Sequence, residues 1–272
     1  ESVVEDEGVY YHAKLYDRAR KTALKNLRLQ TVTRPPERYA ALMVGRTLLH
    51  APSEEQLESA LKLYRDREFP VKLWENVIFR KRVKNYSEAM LDRLLSEGGY
   101  FWRMTPGGNL SFHLYDEIDW DAEQTDAEED LEDDELLIYR ELKRRGASFL
   151  RALTEIPEED SAQEVLLKLA GRGLVCADSF VPVRQWINRE KIRKAAARQR
   201  VNVRVMALSA GRWDIVRPLK QKTGEELLEG CMREYILLSR ETFGRTASDE
   251  LKTWREALDI LSIWEYTGRV RR

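Results

Sequence analysis

Little in this sequence can hold a metal or close a disulfide. Of its 272 residues, two are cysteine and three are histidine. Cys176 and Cys231 stand alone in or beside apolar surroundings, His12, His50 and His113 are scattered, and no CxxC occurs. That pattern lacks the ligand spacing of a zinc site and the pairing of a disulfide framework, and leaves two buried thiols in a reducing cytoplasm as the expectation. No apolar run approaches the roughly twenty residues of a membrane-spanning helix. The chain has no GxxxxGK[ST] loop to cradle a nucleotide, no HExxH and no GxSxG, so alone it is no P-loop ATPase, and its residues favour binding over catalysis. A signal-peptide layout is missing too. Glu1 opens mid-sequence and the chain closes on Arg269, Val270, Arg271 and Arg272, so both ends read as cuts in a longer polypeptide.

What is present is charge, and it is unevenly placed. The residues are 43% apolar and 34% charged, with a net charge of only -1. The length suits two or three small domains with real cores. The organising stretch runs from Tyr86 to Leu114. Ser87 reads as an N-cap, with Tyr86 and Leu91 as a hydrophobic staple. Leu91, Leu94 and Leu95 follow at helical spacing until Gly98 and Gly99. The period then changes to two: Tyr100, Trp102 and Met104 alternate, Pro106 to Asn109 turn, and Leu110, Phe112 and Leu114 return. A short helix, a glycine stop and a hairpin make the second half of a winged helix, a module that sets a helix against a nucleic-acid groove. The plainer alternative is a winged helix that packs only against protein.

Ahead of this stretch lies a helical region, residues 1–68. Leu15, Ala19, Ala23 and Leu27 space one helix, whose cations are either phosphate-facing or simply solvated. Pro35 and Pro36 open a second helix through Tyr39 and Leu42, and Ser53 with Gln56 suggests a capping box for a third. Residues 69–118 form the first winged helix, with Leu73, Val77 and Ile78 on its first helix and the basic run Arg80, Lys81, Arg82 and Lys84 leading into its second.

The helix, glycine and hairpin grammar then repeats. Residues 119–182 combine an acidic linker, or the acid-rich start of a helix, with a second winged helix. There Ser161 and Glu164 cap, Gly171 and Gly173 stop, and Leu174 and Val175 pair with Phe180 and Val181. Residues 223–272 give a third, with Ser248 as cap and Gly268 before a strand cut short. A metal site built from the acidic run has no support. Between the second and third modules, residues 183–222 are basic and β-rich. Arg184, Arg189, Lys191, Arg193, Lys194, Arg198, Arg200 and Arg204 are opposed only by Glu190, and Val201, Val203 and Val205 alternate. Such a stretch neutralises phosphates. Trp186 offers a stacking surface for an unpaired base, or, like Trp213, is a core aromatic. The fold class is α+β, mostly helical: tandem winged-helix modules with a small β-barrel-like insertion.

Phe69 to Leu95 and Gly171 to Trp186, together with Gly211, Arg212 and Trp213, resemble the Lhr family of large superfamily 2 DEAD/DEAH-box DNA helicases. The likeness lies in the C-terminal accessory region that follows the two RecA-like motor domains. It is carried by Asp178, Phe180, Pro182 and Arg184, then the GRW, then Gly268, Arg271 and Arg272, in the same order. The resemblance implies a DNA-binding accessory domain that grips a single strand or a fork during ATP-dependent unwinding in repair. It also implies motor domains of the same polypeptide as partners, a cytoplasmic setting, and ATP and Mg held by the parent helicase, with no cofactor in this piece. The alternatives are a tandem winged-helix DNA glycosylase, although the Gln-x-Gln pair of those enzymes is absent, and a winged-helix protein-interaction module.

Overall fold

Hydrophobic spacing in the first winged helix is realised as read, and its consequences extend further than one module. In a computed structural model, the described residues are 3–6, 8–48, 50–123, 127–153, 159–196, 211–244 and 250–271, the side chains of 159–161 and 191–196 excepted. They divide into two compact units, Gly45–Lys220 and a second made of Glu1–Val44 with Gln221–Arg272.

In the larger unit, helix α3 (Ser53–Tyr64) is followed by strand β3 (Phe69–Pro70). A helix then runs through Val71–Leu73, a π-helical stretch Trp74–Phe79 and Arg80–Arg82; α4 and α5 are its two α-helical ends. Helix α6 (Glu88–Ser96) and strands β4 (Tyr100–Thr105) and β5 (Asn109–Leu114) complete the module. The sheet order is β3-β5-β4. The first winged helix therefore starts at α3, ahead of residue 69. No capping box forms at Ser53: Pro52 is the N-cap, and the Ser53 hydroxyl donates to the Lys84 carbonyl. Ser87 does occupy the N-cap of α6, though its side chain makes no capping bond.

The second module repeats this topology. Helix α7 (Asp133–Arg145), strand β6 (Ser148–Phe149), helix α8 (Glu159–Gly171) and strand β7 (Val175–Ala177) follow in turn. The acid-rich reading of a helix start holds at Asp133, Asp134 and Glu135, the first turn of α7. Helix α8 begins before Ser161. The expected return strand at Phe180 and Val181 does not form, because helix α9 (Val181–Ala196) starts there, with Pro182 in its first turn where a missing N–H costs nothing. Strand β7 pairs instead with β8 (Arg212–Ile215), which also pairs with β6, in the order β6-β8-β7. The front of the segment read as basic and β-rich is thus helical, and no closed barrel forms among the described residues. The alternating valines, Val201 to Val205, lie outside them.

One apolar core serves both modules. Trp74 meets Phe112 edge-on at 4.7 Å between ring centroids, Phe112 stacks on Phe180 at 5.7 Å, and the Trp102 indole N–H donates to the Ser179 carbonyl at 2.9 Å. The hairpin expected to bury one face buries both: Phe101 packs on Tyr115, and Ser111 and His113 lie beneath the turn at Asp66.

The smaller unit holds a hairpin, β1 (Val3–Asp6) with β2 (Val9–His12), and helices α1 (Ala13–Leu29) and α2 (Pro36–Gly45). Three more helices follow: α10 (Gly224–Tyr235), α11 (Arg240–Phe243) and α12 (Trp254–Tyr266). Leu228, Phe243, Leu251, Ala257 and Trp264 form its core. Helices α1 and α2 bury no side chain; Arg28 pairs with Glu265, Arg20 donates to the Tyr266 carbonyl, and the Tyr39 hydroxyl donates to the Tyr235 carbonyl. Thr253 caps α12; Ser248, the cap expected from the sequence, lies outside the described residues. The strand expected after Gly268 does not form: the Arg269 and Val270 N–H groups turn back onto the Trp264 carbonyl and close the helix end.

Candidate nucleic-acid interface

A winged helix reads a groove with the helix before its hairpin, so the exposure of α6 and α8 decides whether either module works that way. Neither helix is free. On α6 the outward charges are Glu88, Asp92 and Glu97 against Arg93, an acidic balance that repels phosphate. Arg184 of α9 occupies this face. Its guanidinium donates to Glu75 at 2.9–3.2 Å and to Asp92 at 2.7 Å, and lies 3.5 Å from Glu88. The Phe180 N–H donates to the other Asp92 oxygen at 2.6 Å. Burial works against the Arg184 charge, but the Glu75 and Asp92 contacts outweigh it and hold the pKa above its ordinary value. Burial, then Glu75, pushes the Tyr86 hydroxyl up as well, and it donates to Glu75 at 2.6 Å. On α8 the side chains of Ala162, Gln163, Val165, Leu166, Leu169 and Ala170 are buried, and the Gln163 amide donates to Gln185 of α9 at 2.7 Å.

The other expected phosphate ligands fall in two places. Arg80, Lys81 and Arg82 form α5, with Arg82 stacked 4.9 Å from the Tyr64 ring centroid. Arg80, Lys81 and Lys84 are exposed. Gln56 fixes the end of this run: its carbonyl oxygen accepts from the Lys84 N–H at 2.7 Å, while its amide donates to the Leu48 and Ala51 carbonyls. The second place is α9 and beyond. Trp186 is half-buried, its ring lying so close to Gly108 and Gly171 that a Cβ on either would stand 2.8–2.9 Å from it. Arg189 covers that ring at 4.3 Å and donates to the Trp186 carbonyl. Both observations favour a packing role for Trp186, and Trp213 is wholly buried. Lys191, Arg193 and Lys194 lie on α9 with side chains outside the described residues, as do Arg198, Arg200 and Arg204 entirely. Helix α9 opens the connection that stands in the place of a wing, because β7 and β8 are antiparallel neighbours.

Folding also creates a cluster that spacing could not show. The Asp66, His113 and Glu117 ligand atoms lie within 4.8 Å of one another, a grouping able to hold a metal ion. His113 Nδ1 meets Asp66 at 2.9 Å and its Nε2 meets the Ser111 hydroxyl at 2.7 Å. Arg65 stands 3.5 Å from Asp66 and 3.6 Å from Glu117, supplying the counter-charge from within. Although the order Ser111–His113–Asp66 is that of a nucleophilic triad, Ser111 is 2% exposed and no substrate reaches it. The cluster ties the turn after α3 to the hairpin.

Fold and sheet order define a tandem winged-helix protein. Residues 36–113 match the family described as large helicase-related protein, winged-helix domain. The chain is similar to the "Lhr helicase/ probable uracil glycosylase" of Mycolicibacterium smegmatis, 30% identical over 179 residues. It is also similar to the "Lhr helicase/uracil glycosylase" of Escherichia coli, 26% identical over 208 residues. These alignments cover 61% and 63% of this chain but only 12% and 13% of the relatives. They support the C-terminal Lhr region read from the sequence. No helix among the described residues is long and apolar enough to cross a membrane.

Proposed function

We propose that this chain is a DNA-binding accessory region of an ATP-dependent Lhr-type helicase in DNA repair, one that holds the tracked single strand or fork while motor domains of the same cytoplasmic polypeptide pull. ATP and Mg would reside in those motors. The observation that carries the reading is the basic excursion in the place of the second wing, between β7 and β8. With α6 and α8 covered, the exposed cations of the run through α5 are Arg80, Lys81 and Lys84, and the longer basic run of the sequence continues from Arg189 to Arg204. The test is binding of labelled single-stranded and duplex DNA across a salt series, beside the Arg193→Glu/Lys194→Glu variant. Affinity should fall steeply with salt, and each lost phosphate contact should flatten the slope by roughly 0.7–0.9. Salt-independent binding, or an unchanged slope in the double variant, sinks the placement.

A second reading draws on the relatives, both of whose names include uracil glycosylase. It predicts release of uracil from a uracil-containing oligonucleotide without ATP. The Gln-x-Gln pair of the tandem winged-helix glycosylases is absent from this sequence, so the grip on DNA is the preferred reading.

A further inference from the structure

We propose that Arg184 is a positioning residue that plugs the recognition-helix face of the first winged helix and thereby holds α9, with its cations, against that module. This rests on the DNA-binding reading above. A cation inside a basic run would ordinarily be counted as a phosphate ligand. Arg184 has instead spent its donors: Nε and Nη2 on Glu75, Nη1 on Asp92, and Nη2 again on the Glu88 carbonyl. It is 15% exposed and lies over the Phe180 ring. The acceptors come from both helices that a winged helix presents to DNA, Glu75 from the π-helical stretch and Asp92 and Glu88 from α6. A planar guanidinium spans two carboxylates in a way that an ammonium does not. Three further contacts align the same helix: Phe180 N–H to Asp92, Gln185 to Gln163, and Trp186 on Gly108 and Gly171. The first half of α9 is therefore held on two modules at once, and the α9 cations that follow, from Arg189 to Lys194, sit on a helix fixed at its start. The acidic face of α6 is a docking site for protein, and its occupant is this arginine.

The experiment compares DNA binding over a salt series for the full chain, Arg184→Met, Arg184→Lys and Glu75→Gln/Asp92→Asn. Loss of the anchor leaves the phosphate contacts in number but requires α9 to be fixed on binding. Arg184→Met should lower affinity roughly three- to tenfold, equally at every salt concentration, with Arg184→Lys between it and the parent. The acid-to-amide variant should also bind more weakly, although it frees a cation. A phosphate-contacting Arg184 gives the reverse: the salt slope flattens by about 0.7–0.9 in Arg184→Met, and the amide variant binds more tightly. Either result overturns the proposal, as does affinity unchanged in all three. Hydrogen exchange of the α9 amides decides the anchor independently. It should quicken in Arg184→Met while α10 and α12 keep their protection, and unchanged exchange overturns the anchor. If the parent binds no DNA, the DNA-binding reading falls alone, and the exchange result still decides whether Arg184 holds α9.

Discussion

The two winged helices share one topology and differ in what their hairpins do. In the first, β4 and β5 are joined by a tight turn at Pro106 to Gly108, and each strand pairs along its length. In the second, β7 and β8 are three- and four-residue strands separated by residues 178–211. The compact hairpin is buried on both faces and serves as the wall against which the other module is built. The open one sends out a helix that returns to lock the first. One fold therefore supplies a scaffold in one copy and an outgrowth in the other, and the acidic sockets Glu75 and Asp92 of the scaffold receive Arg184 of the outgrowth.

The hardest test of a shared core is Trp102→Ala. The indole is fully buried and bonds the second module through Ser179, so its loss should cost about 3–5 kcal/mol. Denaturant unfolding should show the whole Gly45–Lys220 unit losing stability in one step. Two separated transitions within that unit would mean that the modules fold independently.

A finer comparison uses the glycine that ends each recognition helix. Gly98 and Gly173 have φ of +78° and +77°, so alanine at either meets left-handed strain of roughly 1–2 kcal/mol. Gly98 has open space around it, whereas a Cβ at Gly173 would stand 2.4 Å from the Met104 carbonyl oxygen. Gly173→Ala should therefore lower the melting temperature clearly more than Gly98→Ala. Equal shifts would show that the two modules are not held together at that point.

Sequence spacing carried much of this. Period changes located β4 and β5, proline located α2, and the helix-to-glycine pattern located both modules. What it missed was tertiary. Gln56 looks like a capping residue because its local position suits one, yet its side chain serves Lys84, Leu48 and Ala51. Arg184 looks like a phosphate ligand because charge density along a chain says nothing of carboxylates ninety residues away. Local spacing places the return strand of the second wing at Phe180 and Val181, since nothing local announces that the partner of β7 lies beyond a helix. Asp66, His113 and Ser111 meet only because α3 and β5 are brought together.

The middle strands of the two sheets differ in one further, smaller respect. At mid-strand β5 sets Phe112 opposite Trp102, whereas β8 sets Asp214 opposite Cys176. Burial pushes the Asp214 carboxyl above its ordinary range despite the Ile215 N–H and Arg217, and pushes the Cys176 thiol up to about 12, with Asp214 the next cause. A raised acid in the folded state means that, just above the unfolded value, the native protein binds more protons than the unfolded chain. Stability should then fall as pH rises through that window. Asp214→Asn should remove this dependence and leave the protein at least as stable as the parent at neutral pH. Urea titrations at pH 4.5 and 7 measure it, with Cys176 alkylation reporting opening of the sheet, since a buried neutral thiol reacts only once exposed. If the asparagine variant is less stable at neutral pH, the Ile215 and Arg217 contacts outweigh burial, and the second sheet uses its charge as firmly as the first uses its aromatics.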